Sequence, residues 1–233
     1  MHSAASMRSI VRCSLIVLLA SAAACNNYDL LDHLENPGGK ETFTDRLYFF
    51  VTSQMTPGDM TGLNAGGCGG SGAGRADCVC EALAKQNNLR RSASSKYLAW
   101  LSTSIASMNC RFIGATGVTC APTGPSVWYN TNNEIVFTGV ESATTGLFGG
   151  TPSLPAAPKF MENRQSVPNS PNNVWTGTNP GGANGPPSCN DWSTGLTGTM
   201  GRAGTSDNQD SFFTNSSDKN CDIGSRVYCV ALP

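Results

Sequence analysis

The sequence predicts an α+β domain with long loops and many disulfides. Three observations carry that prediction. An amphipathic helical period runs into an apolar strand-like run between Arg75 and Leu101, further strand-like runs stand near both ends of the chain, and ten cysteines are spread through 233 residues that include 26 Gly and 13 Pro. The chain is long enough for one domain with a real core, although much of it must be loop. The net charge of −1 offers no clustered positive surface for phosphates, so no nucleic acid partner is expected. Ten thiols with one close pair, Cys78-Val79-Cys80, and no second pair to complete a zinc cage point to an exported, oxidised protein.

Arg8 and Arg12 precede the apolar run Cys13 to Ala20, which has the length of a signal peptide and is too short to span a bilayer. Ala22-Ala23-Ala24-Cys25 then offers two readings, an ordinary Ala-x-Ala cleavage site or a lipobox with Ala22 in the place usually held by Leu. Parity favours the second. If Cys13 leaves with the signal and Cys25 carries lipid, an even number of cysteines remains to pair. The expectation is a signal at 1–24, a tether at 25–45 with lipidation at Cys25, and a domain over 46–233. Several acyl chains, at about 0.8 kcal/mol per buried methylene, would make the membrane attachment effectively permanent.

Leu47 to Thr52 reads as a strand apolar on both faces, hence central. The Gly58 to Gly74 connection contains Gly66-Gly67-Cys68-Gly69-Gly70, but no Gly-Lys-Ser/Thr or Gly-x-Gly-x-x-Gly follows, so it reads as a clipped loop rather than a phosphate cradle. Ala76, Val79, Cys80, Leu83 and Ala84 then repeat at helical spacing and leave Lys85, Gln86 and Asn88 to water. Asp77 is placed in the first turn, where the dipole favours an anion, Glu81 and Lys85 stand one turn apart, and Asn87-Asn88 can stop the helix. Tyr97 to Leu101 follows as a covered strand.

From Ser102 to Pro187, turn-forming residues dominate around short apolar islands. Cys110-Arg111-Phe112-Ile113-Gly114 and Asn133 to Phe137 are read as short strands, and Val174 to Thr178 as renewed order. Arg226 to Leu232 is a strand with Val227, Cys229 and Ala231 on one face. Trp175 and Trp192 are expected in the core. Trp128-Tyr129, in a polar stretch, is the candidate exposed aromatic anchor. Arg90, Arg91 and Lys96 form a basic cluster that could meet sulfated glycans or an acidic protein surface.

Catalysis is not expected. The only histidines, His2 and His33, precede residue 46, which excludes a Ser-His-Asp or Cys-His unit inside the domain, and the carboxylates are scattered singly. No cofactor and no metal are expected.

The order of a first strand, Ala76-Asp77-Cys78-Val79-Cys80, Ala99-Trp100-Leu101-Ser102, Glu134-Ile135-Val136-Phe137, Val174-Trp175-Thr176-Gly177, Cys189-Asn190-Asp191-Trp192, Cys221 and Tyr228-Cys229-Val230 resembles the endostatin domain of collagens. It is closer still to the endostatin-like lipoproteins of Leptospira and other bacteria, over about Arg46 to Leu232. The resemblance implies a C-type-lectin-like fold in which first and last strands pair. Carried over by position, it implies disulfides Cys80 with Cys229 and Cys189 with Cys221. Short loops favour Cys68 with Cys78 and Cys110 with Cys120, a pairing the sequence leaves open. The long Cys80 bridge would remove about 4 to 5 kcal/mol of unfolded-state entropy in the chain-entropy model.

The family reading implies a cell-surface lipoprotein anchored in the outer membrane. Its domain would bind host or environmental macromolecules: laminin, fibronectin and complement factor H. A calcium-dependent lectin is a second reading; the Glu-Pro-Asn triplet is absent, while Asn190-Asp191, Asp207-Asn208-Gln209-Asp210 and Asp218 supply hard oxygens. A structural envelope protein without a specific ligand is the third.

Overall fold

The computed structural model describes residues 46–90, 92–120, 127–138, 154–179 and 182–233, all within the unit Phe43–Pro233. The expected signal segment (1–24) and tether (25–45) with Cys25, and Arg91, lie outside the described residues. The architecture is mixed α and β, dominated by one sheet. Its strands are β1 (Leu47–Val51), β2 (Tyr97–Ala99), β3 (Val127–Tyr129), β4 (Ile135–Thr138), β5 (Asn173–Trp175), β6 (Met200–Thr205), β7 (Ser217–Asn220) and β8 (Arg226–Ala231). They lie in the order β4-β3-β1-β8-β5-β6-β7, with β2 also on β8.

β8 is the hub, because every residue in it is buried and it has neighbours along both edges. β1 pairs antiparallel along one edge, Phe50 opposite Cys229. The other edge is shared by β2, Ala99 opposite Cys229, and by β5, parallel, with Trp175 opposite Val227. The first and last strands are therefore direct partners in the middle of the sheet. β1 and β8 are apolar on both faces because both faces are covered.

The long helix α1 (Gly72–Gln86) packs on β2 and buries Ala76, Val79, Cys80, Leu83 and Ala84, the five residues of the periodic face. It stops at Asn87, and Asn88 takes the left-handed backbone at φ 55°. The start differs from the expectation. The helix begins at Gly72, one turn earlier, so Asp77 lies past the first turn and its carboxylate accepts from the amide of Ala99 (2.8 Å). Glu81 pairs with Arg90 at 3.0 Å rather than with Lys85.

Cys110 to Gly114 is not a strand. Met108–Phe112 forms a short helix, α2, whose N-cap Ser107 accepts from the amide of Cys110 (3.3 Å). The cap supplies a local hydrogen bond that a lone strand would lack, and it outweighs the β preference of Phe112 and Ile113.

Four disulfides tie the chain: Cys68–Cys78, Cys80–Cys229, Cys110–Cys120 and Cys189–Cys221. Their Cα separations of 5.7, 5.4, 4.9 and 5.7 Å lie within the ordinary range. They are the pairs drawn from the resemblance and from loop length. The core they enclose is aromatic. Phe49 meets Trp100, Phe137 and Tyr228 at ring distances of 5.8, 5.0 and 5.1 Å, and Trp175 and Trp192 meet at 6.0 Å, both fully buried.

Candidate binding surface

Of the basic cluster, Arg90 is engaged in local structure. Arg90 is spent closing the turn from α1 to β2: it pairs with Glu81 and donates to the carbonyls of Ala93 and Ser95, while Glu81 also accepts from the amide of Tyr97 (2.9 Å). Lys96 is exposed. Arg91 lies outside the described residues.

The expected aromatic anchor is also corrected. Trp128 is fully buried, donates from Nε1 to the carbonyl of Ala231 (2.8 Å), and meets Phe112 edge-on at 5.6 Å. Its polar flanks conceal a three-residue strand, and parallel pairing with β1 turns Trp128 inward while Val127 is left outward. Tyr129 is half-buried, with Arg46 over its ring at 4.6 Å.

The oxygen-rich residues serve local structure. Asp210 caps the 3-10 turn Ser211–Phe213 by accepting from Phe212 (2.9 Å), Asp218 pairs with Arg202 at 3.0 Å, and Gln209 donates to the carbonyls of Leu154 and Pro155. Among the described residues no group of three or more His, Cys, Asp or Glu could hold a metal ion.

Residues 189–192 take an unusual form. Cys189, Asn190, Asp191 and Trp192 have φ of 50, 54, 56 and 63°, a full left-handed turn without glycine. Such backbone costs roughly 1–2 kcal/mol per residue. It persists because both ends are fixed, Cys189 by its disulfide to Cys221 and Trp192 by burial and by donation from Nε1 to the carbonyl of Ser102 (2.8 Å). The turn aims Asp191 at a neighbouring loop, where its carboxylate accepts from the amide (2.6 Å) and hydroxyl of Ser104.

That loop, residues 101–120, is held at many points. Ser102 donates its amide to Thr176 (2.8 Å), and its hydroxyl accepts from Met108 (2.9 Å) and lies 3.0 Å from that of Thr178. Gly117 donates to Ile105 (2.8 Å), Ser107 donates to Gly117 (2.9 Å), and Cys110–Cys120 closes the segment. Arg111 reaches back to the carbonyls of Ala99 (2.8 Å) and Leu101 (2.5 Å) and to Asp77.

On this fixed frame three aliphatic side chains face water: Ile105 at 70% exposure, Ile113 at 54% and Val118 at 44%. Ile105 and Val118 flank the Ala106–Gly117 bridge. Ile113 and the exposed Val127 are each next in sequence to a ring of the packed pair Phe112 and Trp128. Between Arg111 and Glu134 the sequence has no charged residue. Lone exposed aliphatics are ordinary, but three on one pre-organised loop, whose single charge, Arg111, is turned back onto Asp77, are the candidate surface for burial against an apolar partner. The sequence carries a signal for it in isolated aliphatics, Ile105, Ile113 and Val118, among Ser, Thr, Gly and Ala with a single charge at Arg111. The sequence reading instead gave weight to basic and aromatic residues.

The chain matches no family model and no curated protein.

Proposed function

We propose that the protein is a cell-surface bacterial lipoprotein, anchored in the outer membrane through Cys25, whose domain is a non-catalytic binding module of C-type-lectin-like, endostatin-like type. Its partner class is a host or environmental macromolecule, with matrix proteins such as laminin and fibronectin and the complement regulator factor H as first candidates. The observation that carries this reading is the immobilised loop 101–120 with Ile105, Ile113 and Val118 in water. A rigid loop loses little conformational entropy on docking, so burial of those side chains is not offset by ordering. The fold reading is supported by the central pairing of β1 with β8 and by Cys80–Cys229 across α1 and β8.

The test is a binding screen of the purified protein against laminin, fibronectin, factor H and sulfated glycans, with and without a calcium chelator. Saturable, chelator-insensitive binding to one of the proteins is the expected result. Binding to glycans only, lost with chelator, would support the calcium lectin. Binding to none would leave the structural envelope role.

A further inference from the structure

The glycine-flanked cysteine at residue 68 plays no part in the surface just described. Its disulfide to Cys78 differs from the other three in access. Cys80, Cys229, Cys189, Cys221 and Cys110 are fully buried, and Cys120, the partner of Cys110, is half-buried. Cys78 is exposed. Two positions along a helix turn the side chain to nearly the opposite face, so α1 presents one sulfur to the core at Cys80 and one to solvent at Cys78. On the other side of the bond, Gly66, Gly67, Gly69 and Gly70 are all exposed. A Cβ added at Gly67, Gly69 or Gly70 would meet nothing within 4 Å. Cys68 itself is buried at 8% exposure, so the solvent-facing half of the bond is Cys78, and the bare glycines beside Cys68 add no side chains around it.

The loop is also held by contacts other than this bond. Arg75 donates from Nε and Nη2 to the carbonyl of Leu63 (3.1 and 2.6 Å), from Nη2 to Thr61 (3.2 Å) and from Nη1 to Gly70 (3.0 Å). Gly72 donates to Asp59 at 3.1 Å, and Met60 and Leu63 are fully buried. With the bond open, these contacts keep the two sulfurs near one another.

We infer that Cys68–Cys78 is a thiol–disulfide exchange site for low-molecular-weight thiols of the glutathione class, opened and re-formed without unfolding of the domain. The thiolate attacks the sulfur of Cys78, the exposed residue of the pair, forming a mixed disulfide there and releasing Cys68 as a thiolate that takes a proton from water. A second thiol then attacks the added sulfur, releasing Cys78 and a small-molecule disulfide. Two thiols are oxidised and one protein disulfide is reduced. Re-formation runs the same steps backwards, with the small disulfide as oxidant.

The experiment exposes the native full chain to graded reduced glutathione, quenches by alkylation, and maps the peptides. Modification at Cys68 and Cys78 is expected at least about ten-fold faster than at the six other disulfide cysteines, with the mixed disulfide on Cys78 and the far-UV spectrum unchanged. Joint opening of all four bonds, earlier opening of Cys110–Cys120, an adduct on Cys68 instead, or no opening in native conditions would each overturn the proposal. A Gly69→Val variant supplies the control, since that position has open space and no positive φ. Its branched side chain should shield the sulfur and slow opening several-fold, and an unchanged rate would count against the exchange site.

Discussion

Nη2 of Arg111 lies 2.6 and 2.7 Å from the two carboxylate oxygens of Asp77, and the two side chains together grip one backbone residue, Ala99. Asp77 takes the amide of Ala99 at 2.8 Å, and Arg111 donates to its carbonyl at 2.8 Å. The ion pair thus fastens α1, the end of β2 and the α2 loop to one another. It is the contact through which the helix positions the exposed aliphatics.

Replacing Asp77 with Ala takes the counter-charge from a largely covered guanidinium, which keeps its bonds to the carbonyls of Ala99 and Leu101, and frees the amide of Ala99. With Asp77 about a quarter exposed, the loss should be about 2–3 kcal/mol, below that of a fully buried pair. Asp77→Asn keeps an acceptor and should lose less. Urea denaturation checks both, and a loss in the alanine variant below about 0.5 kcal/mol would remove the pair from this role.

The disulfides should rank by loop length and burial. Paired Cys80→Ser and Cys229→Ser changes reopen a loop with a sequence separation of 149, worth about 5 kcal/mol in the chain-entropy model, and also place two hydroxyls in a fully buried site. Cys68→Ser with Cys78→Ser reopens a separation of only 10, worth about 2.7 kcal/mol. The first pair should lower the melting temperature far more than the second. Equal shifts would contradict the ranking.

Three tyrosines set an alkaline limit. Burial raises the phenol pKa of Tyr48, Tyr97 and Tyr228 above the ordinary 10.0. The hydroxyl of Tyr97 donates to Leu89 at 2.6 Å and that of Tyr228 to Phe213 at 3.0 Å. Below pH about 10 both folded and unfolded chains keep these protons, so the contribution is intact there. Above it the unfolded chain ionises first, and stability should fall by up to about 1.4 kcal/mol per pH unit for each such tyrosine. Denaturation midpoints measured across this range, with Tyr97→Phe and Tyr228→Phe each reducing the slope, check it. A slope the variants do not change would assign the alkaline loss to other groups.

How far the sequence could be read follows from element length and from what sets composition. α1 has 15 residues, so its buried face emerges in full from periodicity. β1 is apolar throughout, and β8 is so after Arg226, which marks central strands. β3 has three residues between polar flanks, and α2 has five, too few for a period to declare itself. β6 reads Met-Gly-Arg-Ala-Gly-Thr because its glycines are required by close approach rather than by strand preference. A Cβ at Gly204 would lie 1.8 Å from the carbonyl oxygen of Phe213, and one at Gly201 would lie 2.4 Å from the sulfur of Cys189. The exposed aliphatics of loop 101–120 are hard to read from the sequence for a related reason. Arg90 and Trp128 have the side chains of ligand contacts, but tertiary packing spends both, and the exposed residues are plain aliphatics whose meaning depends on the rigidity of the loop beneath them.

The account depends most on loop 101–120 being the docking element. Equilibrium binding of the Ile105→Asp, Ile113→Asp double variant to the matrix protein or complement regulator bound by the parent chain measures this directly. Both side chains are already in water, so the melting temperature should stay within about 2 °C of the parent, while the desolvation of two carboxylates should weaken binding at least about thirty-fold. Undiminished affinity in a correctly folded double variant would contradict the account and place the docking element elsewhere on the domain.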